Sequence, residues 1–222
     1  RMKKIIKHIA KGLKELHELE LVHCDIKPDN VVRFDLDDSN DWKIIDFDAA
    51  KHTTKETKER LKQDSKTSSG YCPPEMAEVI VGSKDYLDPV KSFDSWSLGA
   101  VAFRLCTGNK LFPDVDIQDN LNKPEDKKKL KNWTVEIRDK TISDAWQSID
   151  PKFQKDFQQA ESLVKQCLHP DPQERPTMEQ ILQHQFLGGD DAEEYWKKIK
   201  GSKKVPLSPF YASIVLFFGI MA

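Results

Sequence analysis

The chain has 222 residues, of which 38% are hydrophobic and 32% charged, a balance that suits one compact domain with a modest core. The formal net charge of −2 gives no electrostatic reason to expect nucleic acid as a partner. The absence of a secretory signal and of any zinc-ligand spacing predicts a cytoplasmic protein with four free thiols: Cys24, Cys72, Cys106 and Cys167.

The first predicted element is an amphipathic helix. Its apolar residues recur at steps of three and four: Met2, Ile5, Ile6, Ile9, Leu13 and Leu16. Lysines occupy the opposite face. The helix leads directly into a polar segment at residues 23–30, which carries the first candidate functional side chains.

Residues 23–30 read His-Cys-Asp-Ile-Lys-Pro-Asp-Asn, and their polar side chains have the spacing that a phosphoryl-transfer site requires. Asp25 could orient or deprotonate a hydroxyl group, and Lys27 could neutralise the phosphoryl group in transfer. Asn30, together with Asp46 sixteen residues further on, could hold a metal ion that bridges phosphates. Each residue alone has an ordinary alternative as a turn or surface residue, but the set of four predicts catalysis.

Two short strands, at residues 31–34 and 42–45, are predicted to form a hairpin around the polar loop 35–41. Acidic and hydroxyl side chains alternate in this loop as they do in a calcium loop: Asp35, Asp37 and Ser39. Asn40 stands where an EF-hand needs glycine, so a solvated loop is expected rather than a calcium site.

Two polar stretches interrupt the helical pattern further along the chain. Residues 51–70 are rich in Lys, Thr, Ser and Glu and predict a mobile loop. Residues 108–150 are polar and irregular, with some helix expected. The basic cluster within them is interpreted as a solvated helix face: Lys127, Lys128, Lys129 and Lys131.

The remaining predicted helices lie in the second half of the chain. The segment 93–106 is apolar around most of its circumference, which is typical of a helix buried in a core. A capping box at residues 177–180 begins a helix that turns Ile181 and Leu182 inward. Two further helices are predicted at residues 74–81 and 153–167.

The end of the sequence differs in composition. Residues 188–204 are predicted to be a polar linker, and residues 205–222 carry no charge. The least polar part, residues 210–222, is 13 residues long, whereas a membrane helix needs about 20. If the natural chain continues, this apolar tail could begin a membrane segment, and the alternative is a segment that packs against protein.

Three motifs together resemble the eukaryotic protein kinase family. Residues 23–30 resemble its catalytic loop, H-R-D-L-x-x-x-N, and Asp-Phe-Asp at residues 46–48 resembles D-F-G. Pro-Pro-Glu at residues 73–75 resembles A-P-E. The order and separations of the motifs agree with the family, and this joint agreement is more specific than any tripeptide. The resemblance covers about residues 1–187 and corresponds to the C-terminal lobe alone.

The resemblance implies a mainly α (α+β) fold with a small β-hairpin at the catalytic loop and no N-terminal lobe. It implies a serine/threonine protein kinase that uses ATP and Mg²⁺ to phosphorylate a protein hydroxyl, with residues 46–75 as the activation segment. Lysine at position 27 marks the serine/threonine class in this family. Two alternatives are a non-catalytic scaffold of pseudokinase type and a small-molecule phosphotransferase that shares the His-x-Asp-x(4)-Asn pattern.

The resemblance also implies a role for each site residue. The catalytic residues are Asp25 and Lys27. Residues that contact ATP or the metal ion are Lys27, Asn30 and Asp46. Residues of the substrate loop are Ser68, which contacts the catalytic Asp and Lys, Gly70 and Tyr71. Structural supports are His23, Glu75, Asp94 and Arg175, of which Glu75 and Arg175 form a buried ion pair.

The sequence departs from the family pattern in three ways. Cys24 replaces an arginine that pairs with a phosphate on the activation segment, which leads to the hypothesis that phosphorylation there is not the main switch. Asp48 replaces a glycine and should limit rearrangement of this segment. No Gly-x-Gly occurs, and the first residue is Arg1, so we expect a part of a longer chain that by itself binds ATP weakly.

Overall fold

A computed structural model describes residues 2–34, 41–54, 59–149 and 151–188, with the side chains of 151–157 left aside. Residues 35–40 of the polar loop, where a calcium site was the alternative, lie outside the described residues, as do the apolar tail and all of the predicted linker except Gly188. The elements are α1 Met2–Glu18, β1 Leu21–Val22, β2 Val31–Phe34, β3 Asp41–Ile44, β4 Lys51–His52, α2 Pro74–Ile80, α3 Ser92–Thr107, α4 Pro124–Lys131, α5 Val135–Gln147, α6 Pro151–Cys167 and α7 Met178–Gln183.

Helix α3 forms the centre of the described part of the chain, as its apolar sequence predicts. It packs against α1, α5 and α6, and nearly all of its side chains are buried. At Gly99 the neighbouring helix comes so close that a Cβ atom would lie 2.5 Å from the Cβ of Cys167. The helix ends at Gly108, whose φ of 76° is the left-handed conformation that glycine adopts without strain.

Helix α1 buries the apolar face that its periodicity predicts. This face contacts α3, α7 and strand β3, and its buried members include Ile5, Ile6, Ile9, Leu13 and Leu16. Helix α7 begins with the predicted capping box, because the side chains of Thr177 and Gln180 each bond the backbone N–H of the other residue. Ile181 and Leu182 are buried, as predicted.

Two antiparallel strand pairs flank the candidate loop at residues 23–30. The predicted hairpin is present as β2 and β3, but β3 begins one residue earlier than predicted because Asp41 pairs with Phe34. The second pair, β1 with β4, was not predicted and joins Leu21 to His52. The candidate loop therefore leaves one short sheet and enters the other, so both of its ends are fixed.

The prediction of a mobile loop over 51–70 was wrong at both ends. Lys51 and His52 form β4, and a 3₁₀ turn covers Ser69–Tyr71. Between them the side chain of Leu61 is fully buried, and its backbone N–H and C=O both bond Leu87, at 2.9 and 2.8 Å. One apolar residue in a polar stretch therefore attaches this segment to the domain.

The region 108–150 is more regular than its composition predicts, since α4 and α5 occupy much of it. The basic cluster lies on α4, but it is not uniformly solvated. Lys129 packs over the rings of Phe112 and Trp133, and burial lowers the pKa of its ammonium group. The aliphatic stem of a lysine can cover apolar surface in this way.

All four cysteines are buried and free, which agrees with the sequence prediction. None of the helices in the described ranges is both long enough and apolar enough to cross a membrane.

Candidate active site

The backbone of the candidate catalytic loop is held from below by one buried carboxylate. Asp94, in the first turn of α3, is fully buried and accepts the backbone N–H groups of His23 at 2.9 Å and Cys24 at 3.0 Å. The ring Nε2 of His17 lies 2.9 Å from the same carboxylate. Asp94 therefore makes the contact with the loop that its predicted supporting role requires.

The loop turns over Asp94 at Cys24. Its φ of 65° lies in the left-handed region, which non-glycine residues adopt rarely. The thiol is buried in an apolar cluster with Leu61, Met76 and Phe93, and burial raises its pKa well above the usual value. An arginine side chain at this position would put a cation into that apolar cluster. The surroundings of Cys24 therefore do not suit a phosphate-binding residue.

His23 lies beneath the loop as a structural residue. Its Nδ1 accepts the N–H of Asp25 at 3.3 Å, and its Nε2 donates to the carbonyl of Ile45, also at 3.3 Å. This arrangement requires the neutral ring with the proton on Nε2. The side chain is completely buried, and desolvation lowers its pKa.

The neutral state of His23 predicts that stability falls in acid. The unfolded chain takes up a proton on this residue near pH 6.5, whereas the folded chain resists protonation to a lower pH. Below about pH 6.5 the free energy of unfolding should therefore decrease, by up to about 1.4 kcal/mol per pH unit from this residue. Urea unfolding between pH 7.5 and 5.5 measures this slope.

The matched variant is His23→Gln, whose amide can still donate to Ile45. It should show a shallower slope, with a remainder from His8 and His184, whose pKa values burial also lowers. Equal slopes in both proteins would contradict this account of the histidine.

Asp25 is the centre of the hydrogen-bond network. Its Oδ1 accepts the backbone N–H of Ser68 at 2.7 Å, and its Oδ2 accepts the side-chain amide of Asn30 at 3.0 Å. The Nζ of Lys27 lies 3.8 Å from the same Oδ2. The carboxylate is thus fixed in orientation, and it borders an open cleft.

Lys27 joins the candidate loop to the predicted substrate loop. Its ammonium group donates to the hydroxyl of Ser68 at 2.8 Å and reaches the carbonyl of Gln118 at 3.5 Å. Ser68 therefore contacts both predicted catalytic residues, Asp25 through its backbone and Lys27 through its side chain. Two segments that are about forty residues apart in sequence therefore meet at Ser68.

Asn30 and Asp46 offer oxygen ligands of the kind that magnesium prefers. The amide nitrogen of Asn30 donates to the carbonyl and carboxylate of Asp25, at 2.9 and 3.0 Å, which leaves its carboxamide oxygen as the acceptor end. Asp46 follows β3, is exposed and lines the cleft. Within the described ranges no three His, Cys, Asp or Glu side chains group together as a metal site. Two oxygen donors nevertheless fit Mg²⁺, which takes its other ligands from water and phosphate.

The cleft has a volume of about 640 Å³. It is lined by Asp25, Lys27 and Asp46 and by the segment 63–69. Gln118 and Asn120 are also among the lining residues, although nothing in the sequence marks them as site residues. A space of this size, with a carboxylate and a lysine at its edge, can accept a polar phosphorylated group beside a peptide chain.

The predicted substrate loop is only partly directed at the cleft. Gly70 donates its backbone N–H to the carbonyl of Asp119 at 2.8 Å, and an added Cβ would lie 2.7 Å from that oxygen. Tyr71 is buried, and its phenol oxygen accepts a bond from Arg104 at 2.8 Å. In this structure Tyr71 supports the loop from the interior.

The predicted ion pair between Glu75 and Arg175 is present. The two guanidinium NH₂ groups of Arg175 each donate to one carboxylate oxygen of Glu75, at 2.7 Å. The pair connects the first turn of α2 to the segment before α7, and so attaches the substrate loop to the helical core.

His17 is the supporting residue that sequence reasoning missed. It lies on the buried face of α1, four residues after Leu13, in the stripe that otherwise holds apolar side chains. A polar residue on a core face needs a buried partner, and this signal could have identified it. No comparable local signal in the sequence identifies Gln118, because its position depends on contacts with residues that are distant in sequence.

The chain is similar to several known protein kinases. The chain is 27% identical over 202 residues to the mitogen-activated protein kinase pmk-1 of Caenorhabditis elegans, with 86% of this chain and 50% of that protein aligned. It is 26% identical over 198 residues to a calcium and calcium/calmodulin-dependent serine/threonine-protein kinase of Lotus japonicus, with 86% and 32% aligned. It is 25% identical over 213 residues to the MAP kinase-activated protein kinase 2 of Homo sapiens, with 96% and 44% aligned.

The chain thus spans between a third and a half of the length of these relatives. A family model described as the protein kinase domain matches residues 1–187. That range includes every residue of the cleft, the loop above Asp94 and the Glu75–Arg175 pair. Because the match covers well over half of the sequence, the chain belongs to the protein kinase domain family.

Proposed function

We propose that this chain is the C-terminal lobe of a serine/threonine protein kinase that transfers the γ-phosphoryl group of ATP to a protein hydroxyl. The observation that carries the proposal is the contact of Ser68 with both Asp25 and Lys27 at the edge of the cleft. The backbone N–H of Ser68 donates to Asp25 at 2.7 Å, and its hydroxyl accepts a bond from Lys27 at 2.8 Å. Protein kinases in general use ATP and Mg²⁺, and Asn30 with Asp46 would hold the metal ion. When bound, ATP supplies the phosphoryl group and Mg²⁺ neutralises part of its negative charge.

The chain's own residues position the acceptor and compensate charge. Asp25, fixed by Ser68 and Asn30, would accept the hydrogen bond of the substrate hydroxyl and take its proton as the hydroxyl oxygen bonds the γ-phosphorus and ADP leaves. Lys27 places a cation next to the transferring group, where negative charge accumulates. Ser68 holds Lys27 in this direction through its hydroxyl.

The proposal is tested by incubating the full-length protein with Mg²⁺, labelled ATP and a Ser/Thr peptide library. The expected result is transfer to peptides that chelation of Mg²⁺ abolishes. A parallel panel of sugars and aminoglycosides tests the small-molecule alternative, and transfer to that panel alone would overturn the proposal. Peptide binding without transfer would favour the non-catalytic scaffold.

We further propose that the parts of a kinase that clamp ATP come from outside these 222 residues. The sequence has no Gly-x-Gly with which to cover phosphates. The isolated chain is therefore expected to transfer phosphate poorly or not at all. Turnover by the isolated chain at the rate of the full-length protein would contradict this part of the proposal.

Contacts within the chain anchor the described parts of the proposed activation segment. Leu61 inserts its side chain into the apolar cluster that contains Cys24, and its backbone pairs with Leu87. The ammonium group of Lys66 lies 2.6 Å from the carboxylate of Asp48. Burial of the Leu61 side chain should stabilise this anchor by roughly 1.5–3 kcal/mol, the usual contribution of one buried leucine.

This anchoring predicts that activity does not depend on phosphorylation of the segment. Replacing five of its hydroxyl residues by alanine should leave kcat/KM of the full-length protein within roughly twofold; these residues are Thr53, Thr54, Thr57, Ser65 and Thr67. In contrast, Leu61→Asp should lower activity strongly, because it places a charge in an apolar cluster. Loss of activity in the alanine variant with an unaffected fold would refute the hypothesis.

A further inference from the structure

The cleft is bounded by a loop that the sequence does not mark, here called the rim loop, residues 113–121. Its backbone is fixed by its own hydrogen bonds. The carboxylate of Asp116 accepts the N–H groups of Gln118 and Asn120, both at 2.8 Å. These bonds stabilise the ionised form and lower the pKa of the carboxyl group. Asp119, at a φ of 64°, is buried and accepts a bond from Lys110 at 2.8 Å.

The rim loop is also docked on the substrate loop. The carbonyl of Asp119 accepts the N–H of Gly70 at 2.8 Å, and the hydroxyl of Ser69 accepts the N–H of Leu121 at 2.8 Å. The side-chain oxygen of Asn120 accepts the N–H of Ser69 at 3.2 Å. Three bonds to two adjacent residues give the rim loop one orientation relative to the catalytic residues.

At the tip of this fixed loop lies a fully solvated apolar side chain. Ile117 is 99% exposed, whereas the other large exposed apolar residues in the described ranges are between 37% and 43% exposed. The carbonyl of the next residue, Gln118, is 3.5 Å from the Nζ of Lys27. Ile117 is therefore within one residue of a direct contact with the proposed phosphoryl-binding lysine.

We propose that Ile117 is a specificity-determining residue that selects protein substrates with an apolar side chain at one fixed position beside the acceptor serine or threonine. This inference rests on the proposed kinase function. A β-branched side chain on a fixed backbone loses little conformational freedom when it is covered, so the contact gains most of the benefit of burial. Isoleucine offers a substrate neither charge nor hydrogen bonds, so it discriminates by apolar contact alone.

The test compares Ile117→Ser with wild type in the full-length protein. A positional-scanning peptide library, with serine or threonine as acceptor, gives the preference at each flanking position. Wild type should prefer Leu, Ile, Val or Met at one position, by about tenfold over Ser or Asp. Ile117→Ser should lose this preference at that position alone, with the change in KM rather than in kcat.

A matched control is Val135→Ser, at the start of α5 and 37% exposed, which should leave the whole profile unchanged. Library binding, measured by fluorescence polarisation, separates this inference from the kinase proposal. Transfer with a flat profile in wild type, or an unchanged profile in Ile117→Ser, overturns the role of Ile117 alone. If peptides bind without transfer, the binding profile decides in the same way. If they neither bind nor accept phosphate, both proposals fall.

Discussion

Replacing Asp25 by asparagine should lower kcat of the full-length protein by a factor on the order of 10²–10⁴, the usual contribution of a positioned acid or base. The substitution keeps the size of the side chain and one oxygen for the N–H of Ser68, but it removes the group that takes the proton. The new amide nitrogen at position 25 would face the amide nitrogen of Asn30, and the hydrogen bond that Asp25 accepts from Asn30 would be lost. We therefore also expect a loss of about 1–2 kcal/mol in the free energy of unfolding.

The control for this variant is Asp29→Asn, because Asp29 is an exposed carboxylate in the same loop. It alters the charge near the site by the same amount, yet it should leave kcat almost unchanged. Initial rates at saturating peptide and ATP, with circular dichroism to confirm the fold, measure both. An Asp25→Asn variant with more than a tenth of wild-type kcat would exclude Asp25 as the base.

The elements that the sequence predicted are those with a strong local signal. Helices α1 and α3 follow from apolar periodicity, and α7 follows from its capping box. The residues of the loop 23–30 were identified because their functional groups lie close together in sequence. In each case a window of four to about seventeen residues contains the whole pattern.

The features that were missed depend on contacts between distant residues. Strands β1 and β4 have two residues each, too short to show a period. Leu61 is a single apolar residue in a polar stretch, and only its cluster with Cys24 and Phe93 explains its burial. The rim loop is placed by Gly70, whose lack of a side chain permits the contact with Asp119. None of these contacts is visible within one window of sequence.

The guanidinium group of Arg175 uses all five of its N–H donors, which predicts the largest loss of stability on mutation. Four bonds go through its two NH₂ groups, two to Glu75 at 2.7 Å, one to the carbonyl of Ser92 at 3.3 Å and one to that of Pro170 at 3.0 Å. The fifth joins Nε to the carbonyl of His169 at 2.8 Å. A lysine has three donors on one nitrogen and cannot reproduce this fork.

Arg175→Met should therefore lower the free energy of unfolding by about 3–5 kcal/mol, since it leaves Glu75 without its buried partner. Arg175→Lys should recover only part of that loss, because the charge returns but most of the bonds do not. Urea denaturation gives these values directly.

The contrasting pair is Lys91 with Glu20, equally close at 2.7 Å but exposed, where Lys91→Met should cost less than about 1 kcal/mol. The double variant Glu75→Met with Arg175→Met should be more stable than the sum of its single changes predicts, because neither charge is then buried alone. Additive effects would mean that the two residues stabilise the substrate loop independently.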